Sequence, residues 1–374
     1  MSEPSTAGDR HEPRVSADSH TIEPYDLWEG RMPEKYKDRA LRYAPDDRKF
    51  GARTRDGGWD PVARLKDMAA DGITAEVLYP TLTKDIYLHQ GDDPELATAS
   101  ARVYNDWMIE FCQEAPDRLW GQALILPWDI ESAVLEMERC RKAGLVGATT
   151  WIIPPEGLPF KSPHYERFWA AAQDLDMPIS MHINQGFGMY VDRRTEAVDE
   201  VEAIRLTCQG HKLNGMNAFT EIICSGVLER HPRLKVVVGE LEVGWIPFFV
   251  QDLDRRFIKS KLYKEGIVPL LPSEYFARQC YSTFTSDEVG GHLLERWGSD
   301  NFMWSNDYPH PGSIWPHSEE VIEHTLGHLS PETKAKVLRE NVARVYGKPV
   351  PEPMPAEAAP DMEALWGKRA WIQR

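Results

Sequence analysis

Val15-Ser16-Ala17-Asp18-Ser19-His20-Thr21-Ile22-Glu23-Pro24 is the stretch on which the fold turns. A short apolar run at Val15 to Ala17 passes directly into Asp18-Ser19-His20, side chains able to bind a cation. The two-residue period of a strand points Asp18 and His20 the same way, so a DxH pair at a strand end can grip one ion with two donors. Taken alone, such a pair is more often a surface turn. Working outward, the same pattern recurs at Ile73 to Tyr79, Trp120 to Leu126, Gly147 to Ile153, Pro178 to Ile183, Leu234 to Gly239, Cys280 to Phe284 and Phe302 to Ser305. Segments of helical period separate these runs, which is the signature of repeated βα units around a parallel sheet. Eight such runs predict an α/β fold, a (β/α)8 barrel with its active site at the C-terminal mouth.

The helices carry recognisable punctuation. Asp129 caps Ile130 to Lys142, which stops at Gly144, and Ser330-Pro331 opens a last helix that ends at Gly347 before Pro349. Two stretches break the rhythm, Pro24 to Trp59 and Arg256 to Tyr275; each reads equally as a pocket wall or lid and as a structural loop or subunit contact. The expected organisation is an arm-like or disordered segment 1–14, a catalytic barrel 15–347 and a tail 348–374. In that tail Val350 to Pro360 reads as a linker, and Leu365, Trp366 and Trp371 as an apolar end that docks on this or another subunit.

Composition narrows the function. The chain has 374 residues, 42% of them hydrophobic, and a formal net charge of -16. That charge argues against duplex nucleic acid and anionic membranes as partners, since both need a basic footprint. Five scattered cysteines form no CxxC pair, so neither a disulfide framework nor a thiolate zinc site is encoded, and they read as small buried apolar side chains. No apolar run approaches the ~20 residues that span a bilayer, and residues 1–14 are too polar for a signal peptide. A cytoplasmic enzyme acting on a small molecule is expected.

In a barrel the chemistry comes from strand C-terminal ends. The polar residues there are Asp18, His20 and Glu23 after the first strand, His182 and Asn184 at the fifth, Glu240 at the sixth, and Asp307, Tyr308 and His310 after the eighth. Singly, His182 reads as a core histidine and Asp307 as a cap or turn residue. Their common placement at strand ends is what points to a metal site. Trp28, Trp151, Trp245, Trp304 and Trp315 read either as pocket wall or as plain packing, and Arg193 and Arg194 either as a carboxylate clamp or as a solvated loop.

The motifs Asp18-Ser19-His20-Thr21-Ile22-Glu23-Pro24, Met181-His182-Ile183-Asn184 and Ser305-Asn306-Asp307-Tyr308-Pro309-His310, with Gly226 to Lys235 and Asn341 to Gly347, resemble the amidohydrolase-related family that includes aminocarboxymuconate-semialdehyde decarboxylase. The resemblance covers roughly Val15 to Gly347. It implies a TIM barrel of the metal-dependent hydrolase type, with one metal held by Asp18, His20, His182 and Asp307; most relatives have a second histidine in place of Asp18. Two departures follow from the same resemblance. Relatives usually carry a histidine acid or base at the end of strand six, where this chain has Glu240, and the strand-four end offers no lysine to bridge two metals.

A charge count addresses what replaces them. If Asp18, Glu23, Glu240 and Asp307 all converge, one divalent ion leaves two negative charges unpaired, at a cost on the order of several kcal/mol. Two ions would balance the four carboxylates, with Glu240 or Glu23 bridging and His310 joining the second ion; mixed oxygen and nitrogen donors suit iron or manganese at least as well as zinc. The DxHxxEP pattern is similar to a branch that includes 2-aminoisobutyrate hydroxylase subunits and a dinuclear hydroxylase of diterpenoid biosynthesis. The leading expectation is therefore a Mn/Fe or di-iron monooxygenase component. Glu240 and His310 would be catalytic, Trp151, Asn184, Trp245 and Tyr308 would bind substrate, and a ferredoxin and reductase would supply electrons. The alternative keeps Glu23 as a fixture of the first loop and Glu240 as a base beside one Zn or Mn, giving a hydrolase or non-oxidative decarboxylase. A third reading is a non-catalytic, metal-bound subunit that scaffolds a partner. Assembly is expected as a homo-oligomer or a paralogous hetero-oligomer.

Overall fold

A computed structural model describes residues 12–43, 55–187 and 199–358. Eight strands follow one another in sequence and in space: β1 (Val15–His20), β2 (Ala75–Tyr79), β3 (Leu119–Leu124), β4 (Gly147–Thr150), β5 (Ile179–His182), β6 (Val236–Gly239), β7 (Cys280–Phe284) and β8 (Phe302–Trp304). Each pairs in parallel with the next. Every strand residue is buried, as expected where helices cover the sheet. β8 returns to β1 through the segments that follow it: the Asp307 amide donates to the Asp18 carbonyl at 3.1 Å and the His20 amide to the Tyr308 carbonyl at 2.6 Å. This is the (β/α)8 TIM barrel.

β1 runs further than its apolar stretch. After a register shift between Ser16 and Ser19 it resumes pairing with β2, Ser19 opposite Leu78 and His20 opposite Tyr79. Asp18 and His20 therefore lie inside the strand, buried by their neighbours despite their polarity. The helix Ile130–Lys142 has the expected bounds, with the Asp129 carboxylate accepting the Ser132 amide at 2.8 Å. The last helical run, Pro331 to Tyr346, contains a π turn at Lys336–Glu340 and stops at Gly347, whose φ of 64° is the left-handed cap that glycine supplies most readily.

Val342, Val345 and Tyr346 of that last run join Val15, Ala75, Trp120, Val237 and Met303 in a core cluster at the starts of the strands. Inside the barrel Tyr79, Gln122, Ser180 and Tyr346 form a hydrogen-bonded polar group at 3.0 to 3.2 Å. A much larger cluster packs the helices onto the outside of the sheet. Within it, Trp28 and Met32 carry the excursion after β1: Trp28 is fully buried and its indole donates to the Ser100 carbonyl of helix Pro94–Cys112.

The described part of the first excursion packs on the core through Leu27, Trp28, Met32, Ala40 and Leu41, whereas Ile258, Leu262, Tyr263 and Ile267 of the second are exposed. The proposed linker is partly anchored, with Met354 against the core and the Glu352 carbonyl accepting from Arg118. Of the cysteines, Cys112, Cys140 and Cys280 are buried, whereas Cys208 is exposed. Arg193, Arg194, Leu365, Trp366, Trp371 and the first eleven residues lie outside the described ones. Among the described residues no helix is long and apolar enough to cross a membrane.

Candidate functional site

The ends of β1, β5, β6 and β8 bring their polar side chains to one point. His182 Nε2 lies 3.2 Å from Asp18 Oδ1 and 3.4 Å from Glu240 Oε2. His20 Nε2 lies 3.5 Å from Asp18 Oδ1, 3.6 Å from Asp307 Oδ1 and 3.9 Å from Glu240 Oε2. His310 stacks on His20 with ring centroids 3.7 Å apart, and its Nδ1 is 3.0 Å from Asp307 Oδ1. Two overlapping donor groups result, one of Asp18, His20 and His182 and one of His20, Glu240, Asp307 and His310.

The surroundings fix these side chains. His20 Nδ1 faces the Pro80 carbonyl at 3.1 Å and His182 Nδ1 the Ile183 carbonyl at 3.0 Å. Each carbonyl accepts from Nδ1, which turns Nε2 inward as the nitrogen that a metal would meet. Thr283, from β7, donates to Asp18 Oδ2 at 2.7 Å and accepts the Glu240 amide at 2.8 Å. Gly239 must be small: a Cβ there would meet His182 Cδ2 at 2.8 Å and Asp18 Oδ2 at 2.9 Å. Asn184, Glu240 and Asp307 all have left-handed backbone at φ 64°, 56° and 53°. Such strain in residues other than glycine clusters where a side chain must be aimed.

Crowding sets the protonation states. Burial alone would raise Asp18, but the adjacent His182 and His20 and the Thr283 hydroxyl hold its carboxyl below the usual range. Burial, then repulsion from Asp307, pushes Glu240 well up, and burial followed by Asp18 does the same to Asp307. Burial works against a charged His182, yet Asp18 raises it to about 9.

A divalent cation fits this donor set. His20 Nε2 and Asp307 Oδ1 are buried and make no hydrogen bond among the described residues, a costly arrangement unless something else satisfies them. Imidazole nitrogen and carboxylate oxygen together suit zinc, manganese or iron.

Glu23 is placed elsewhere. Its oxygens accept the Thr81 amide at 3.2 Å and the Leu82 amide at 2.8 Å, so its fully buried carboxylate fixes the loop after β2 and lies in neither donor group. The fourfold carboxylate count that called for a second cation thereby falls to three. Of the four expected substrate-binding residues, Asn184 lines the cavity over the cluster, and Trp151, Trp245 and Tyr308 do not. Trp151 packs with Trp128 and Phe187, the Trp245 indole donates to the Leu241 carbonyl, and the Tyr308 hydroxyl bonds Asp67. Trp28, Trp304 and Trp315 are likewise fully buried packing residues.

The cavity holds about 220 Å³ and is lined also by Thr81, Lys84 and Gln185. Sequence reading missed these three and Thr283. Thr81 and Lys84 sit in an ordinary turn and helix start, and their one signal was position, just past a strand end.

A family model described as amidohydrolase matches residues 17–348. The gamma-resorcylate decarboxylase of Rhizobium sp. (strain MTP-10005) is 26% identical over 301 residues, 76% of this chain and 86% of that protein. Among solved structures, an amidohydrolase from Mycobacterium avium subsp. paratuberculosis K-10 superposes with a TM-score of 0.75 at 18% identity, over 89% of this chain and 99% of the other. The 5-carboxyvanillate decarboxylase of Novosphingobium aromaticivorans DSM 12444, complexed with manganese and 4-hydroxy-3-methoxy-5-nitrobenzoic acid, gives 0.65 at 20% identity, over 91% and 98%. The Rhizobium and Novosphingobium proteins are decarboxylases. They overturn the expectation of a monooxygenase component, and with it the reason to invoke a ferredoxin and reductase.

Proposed function

The chain belongs to the amidohydrolase family, and from that premise we propose that this enzyme is a metal-dependent, non-oxidative decarboxylase of a small hydroxylated aromatic acid. One divalent cation, such as the manganese bound by the carboxyvanillate decarboxylase, would be held by Asp18, His20, His182 and Asp307. It would offset the two ligand carboxylates and polarise an oxygen of the substrate as a Lewis acid.

The observation that carries the reading is the position of Glu240. Its side chain is 30% exposed, against 2% for Asp18 and 7% for Asp307, so of the three carboxyls it is the most open to the cavity, within 3.4 Å of His182 and 3.9 Å of His20. Burial first, and then the Asp307 and Asp18 carboxyls beside it, favour its protonated form. Carboxylic acid Glu240 delivers its proton to the ring carbon that bears the substrate carboxylate. The bond between that carbon and the carboxylate then breaks, its electron pair returns to the ring, carbon dioxide leaves, and Glu240 regains a proton from water. His310, bonded to Thr81 at 2.9 Å through Nε2, sets its Nδ1 3.0 Å from Asp307 Oδ1. Hydrolysis would require a water aimed at a carbonyl; decarboxylation requires only a positioned acid, and the relatives support the latter.

The test is direct. Protein loaded with manganese is given gamma-resorcylate and 5-carboxyvanillate, and carbon dioxide and the decarboxylated arene are measured. Turnover of at least one acid, abolished by chelation, is expected. Hydrolysis of esters or amides with no carbon dioxide from any hydroxylated benzoate would overturn the proposal.

A further inference from the structure

We propose that Lys84 is the counter-ion for an anionic group that remains on the substrate after reaction, and so selects which acids enter the cavity. The inference rests on the decarboxylase reading for the reacting acid, but the ligand chemistry it assigns stands on the cavity itself.

Lys84 begins the helix Lys84–Gln90 that follows β2, and it lines the cavity together with Thr81, Asp307, His310 and Gly312. Among the described residues that line it, Lys84 alone is a lysine or arginine. Its ammonium is close enough to be felt by His310, which burial first, then the charges of His182 and Lys84, hold far below the usual imidazole range, at about 3. The same cavity is lined by Glu240 and Asp307, and Asp18 belongs to the donor group that shares His20. A divalent ion would be balanced by Asp18 and Asp307, so the centre offers an arriving dianion little surplus positive charge. Lys84 supplies that charge from the cavity lining, on a half-buried stem where solvent screens it less than at the open surface.

The chemistry decides which anion it holds. A carboxylate that leaves becomes neutral carbon dioxide, so a cation bound to it would be favoured in the ground state and lost along the reaction, which slows turnover. Contact with an anion that stays is equal before and after, and improves binding alone. The ligand class is therefore a hydroxylated aromatic acid bearing a second, non-reacting carboxylate, as 5-carboxyvanillate does.

Binding without turnover tests this. Protein loaded with manganese, as wild type, Lys84→Met and Lys84→Arg, is titrated with vanillate, which keeps a carboxylate, and with guaiacol, which lacks one, following quenching of intrinsic tryptophan fluorescence. Wild type is expected to prefer vanillate, Lys84→Met to weaken vanillate by about tenfold or more with guaiacol unchanged, and Lys84→Arg to recover most of the difference. Metal content and melting temperature equal to wild type confirm that the variants are folded. The proposal is overturned if wild type does not discriminate between the probes, or if Lys84→Met weakens both equally or neither. Absence of carbon dioxide release with this discrimination intact would instead overturn the decarboxylase reading alone.

Discussion

The Arg64 guanidinium reaches the backbone of His20, its Nη1 donating to the His20 carbonyl at 2.7 Å while its Nε pairs with Glu76 at 2.5 Å. Both side chains are essentially inaccessible, at 0% and 1%. The same guanidinium also reaches the carbonyls of Gly57 and Tyr308, so one buried cation ties β1, the loop after it and the loop after β8. Removing it strands the Glu76 carboxylate, and breaking one side of a buried pair costs about 3–5 kcal/mol. Arg64→Met is expected to lower the urea midpoint by a corresponding amount, whereas Arg64→Met combined with Glu76→Gln recovers part of the loss. Equal stability of the single and double variants would count against the pairing.

Gly239 gives a steric test of the cluster. Its backbone is not in the left-handed region, so Gly239→Ala adds no strain to the main chain and acts only through the added Cβ against His182 and Asp18. Moving two ligands by a few tenths of an ångström is expected to weaken metal affinity by about 10–100-fold, the size of effect that perturbing a ligand's support produces, with an overpacking cost of roughly 1–3 kcal/mol. Competition with a chromophoric chelator measures the first and denaturant unfolding the second. Unchanged metal affinity would separate Gly239 from the site.

Much of this architecture is legible in the sequence, for identifiable reasons. The strands are visible because a strand covered on both faces is predominantly apolar, and seven of the eight, β2 to β8, fall on or within one residue of those runs. β1 reads short because Asp18 and His20 are polar yet buried, an arrangement stable only when other donors surround them. Those donors come from strands more than 160 residues away, such as the His182 partner of Asp18. Glu23 shows the opposite limit. Its place in the motif looks the same whether it faces a cation or two amides, and only the loop after β2, whose path the sequence does not state, decides for the amides. Trp151 and Tyr308 look like pocket residues by position, but one lies in an aromatic cluster and the other bonds Asp67.

Two carboxyls of the cluster are expected to fail differently. Glu240→Gln removes the proton donor while leaving four donors for the ion, so metal content is retained and kcat falls by about 10²–10⁴. Asp307→Asn removes an anionic ligand, so bound metal is lost along with activity. Metal analysis of the two purified variants beside their kcat separates the roles. If Glu240→Gln loses its metal as readily as Asp307→Asn, Glu240 is a ligand and the proton must come from another group.

Asp71 sets a pH dependence away from the site. It is buried and accepts the Ser318 amide at 3.0 Å, the Ser318 hydroxyl at 2.6 Å and the Asn306 side chain at 3.1 Å. Burial, aided by repulsion from Glu76 and opposed by those hydrogen bonds, raises its carboxyl from 3.8 to about 7. A carboxyl raised in the folded state binds its proton more tightly there than in the unfolded chain. Its contribution to stability is therefore complete below about pH 4 and is lost as pH rises through about 7. Asp71→Asn cannot titrate. It forfeits one acceptor at all pH values, but its stability relative to wild type is expected to improve between pH 5 and pH 8 by on the order of 2 kcal/mol. Urea unfolding of both proteins at the two pH values measures that difference of differences, in which the other titrating groups cancel. A gap that is constant, or that widens against the variant at pH 8, would mean that Asp71 is already ionised in the folded protein at pH 5.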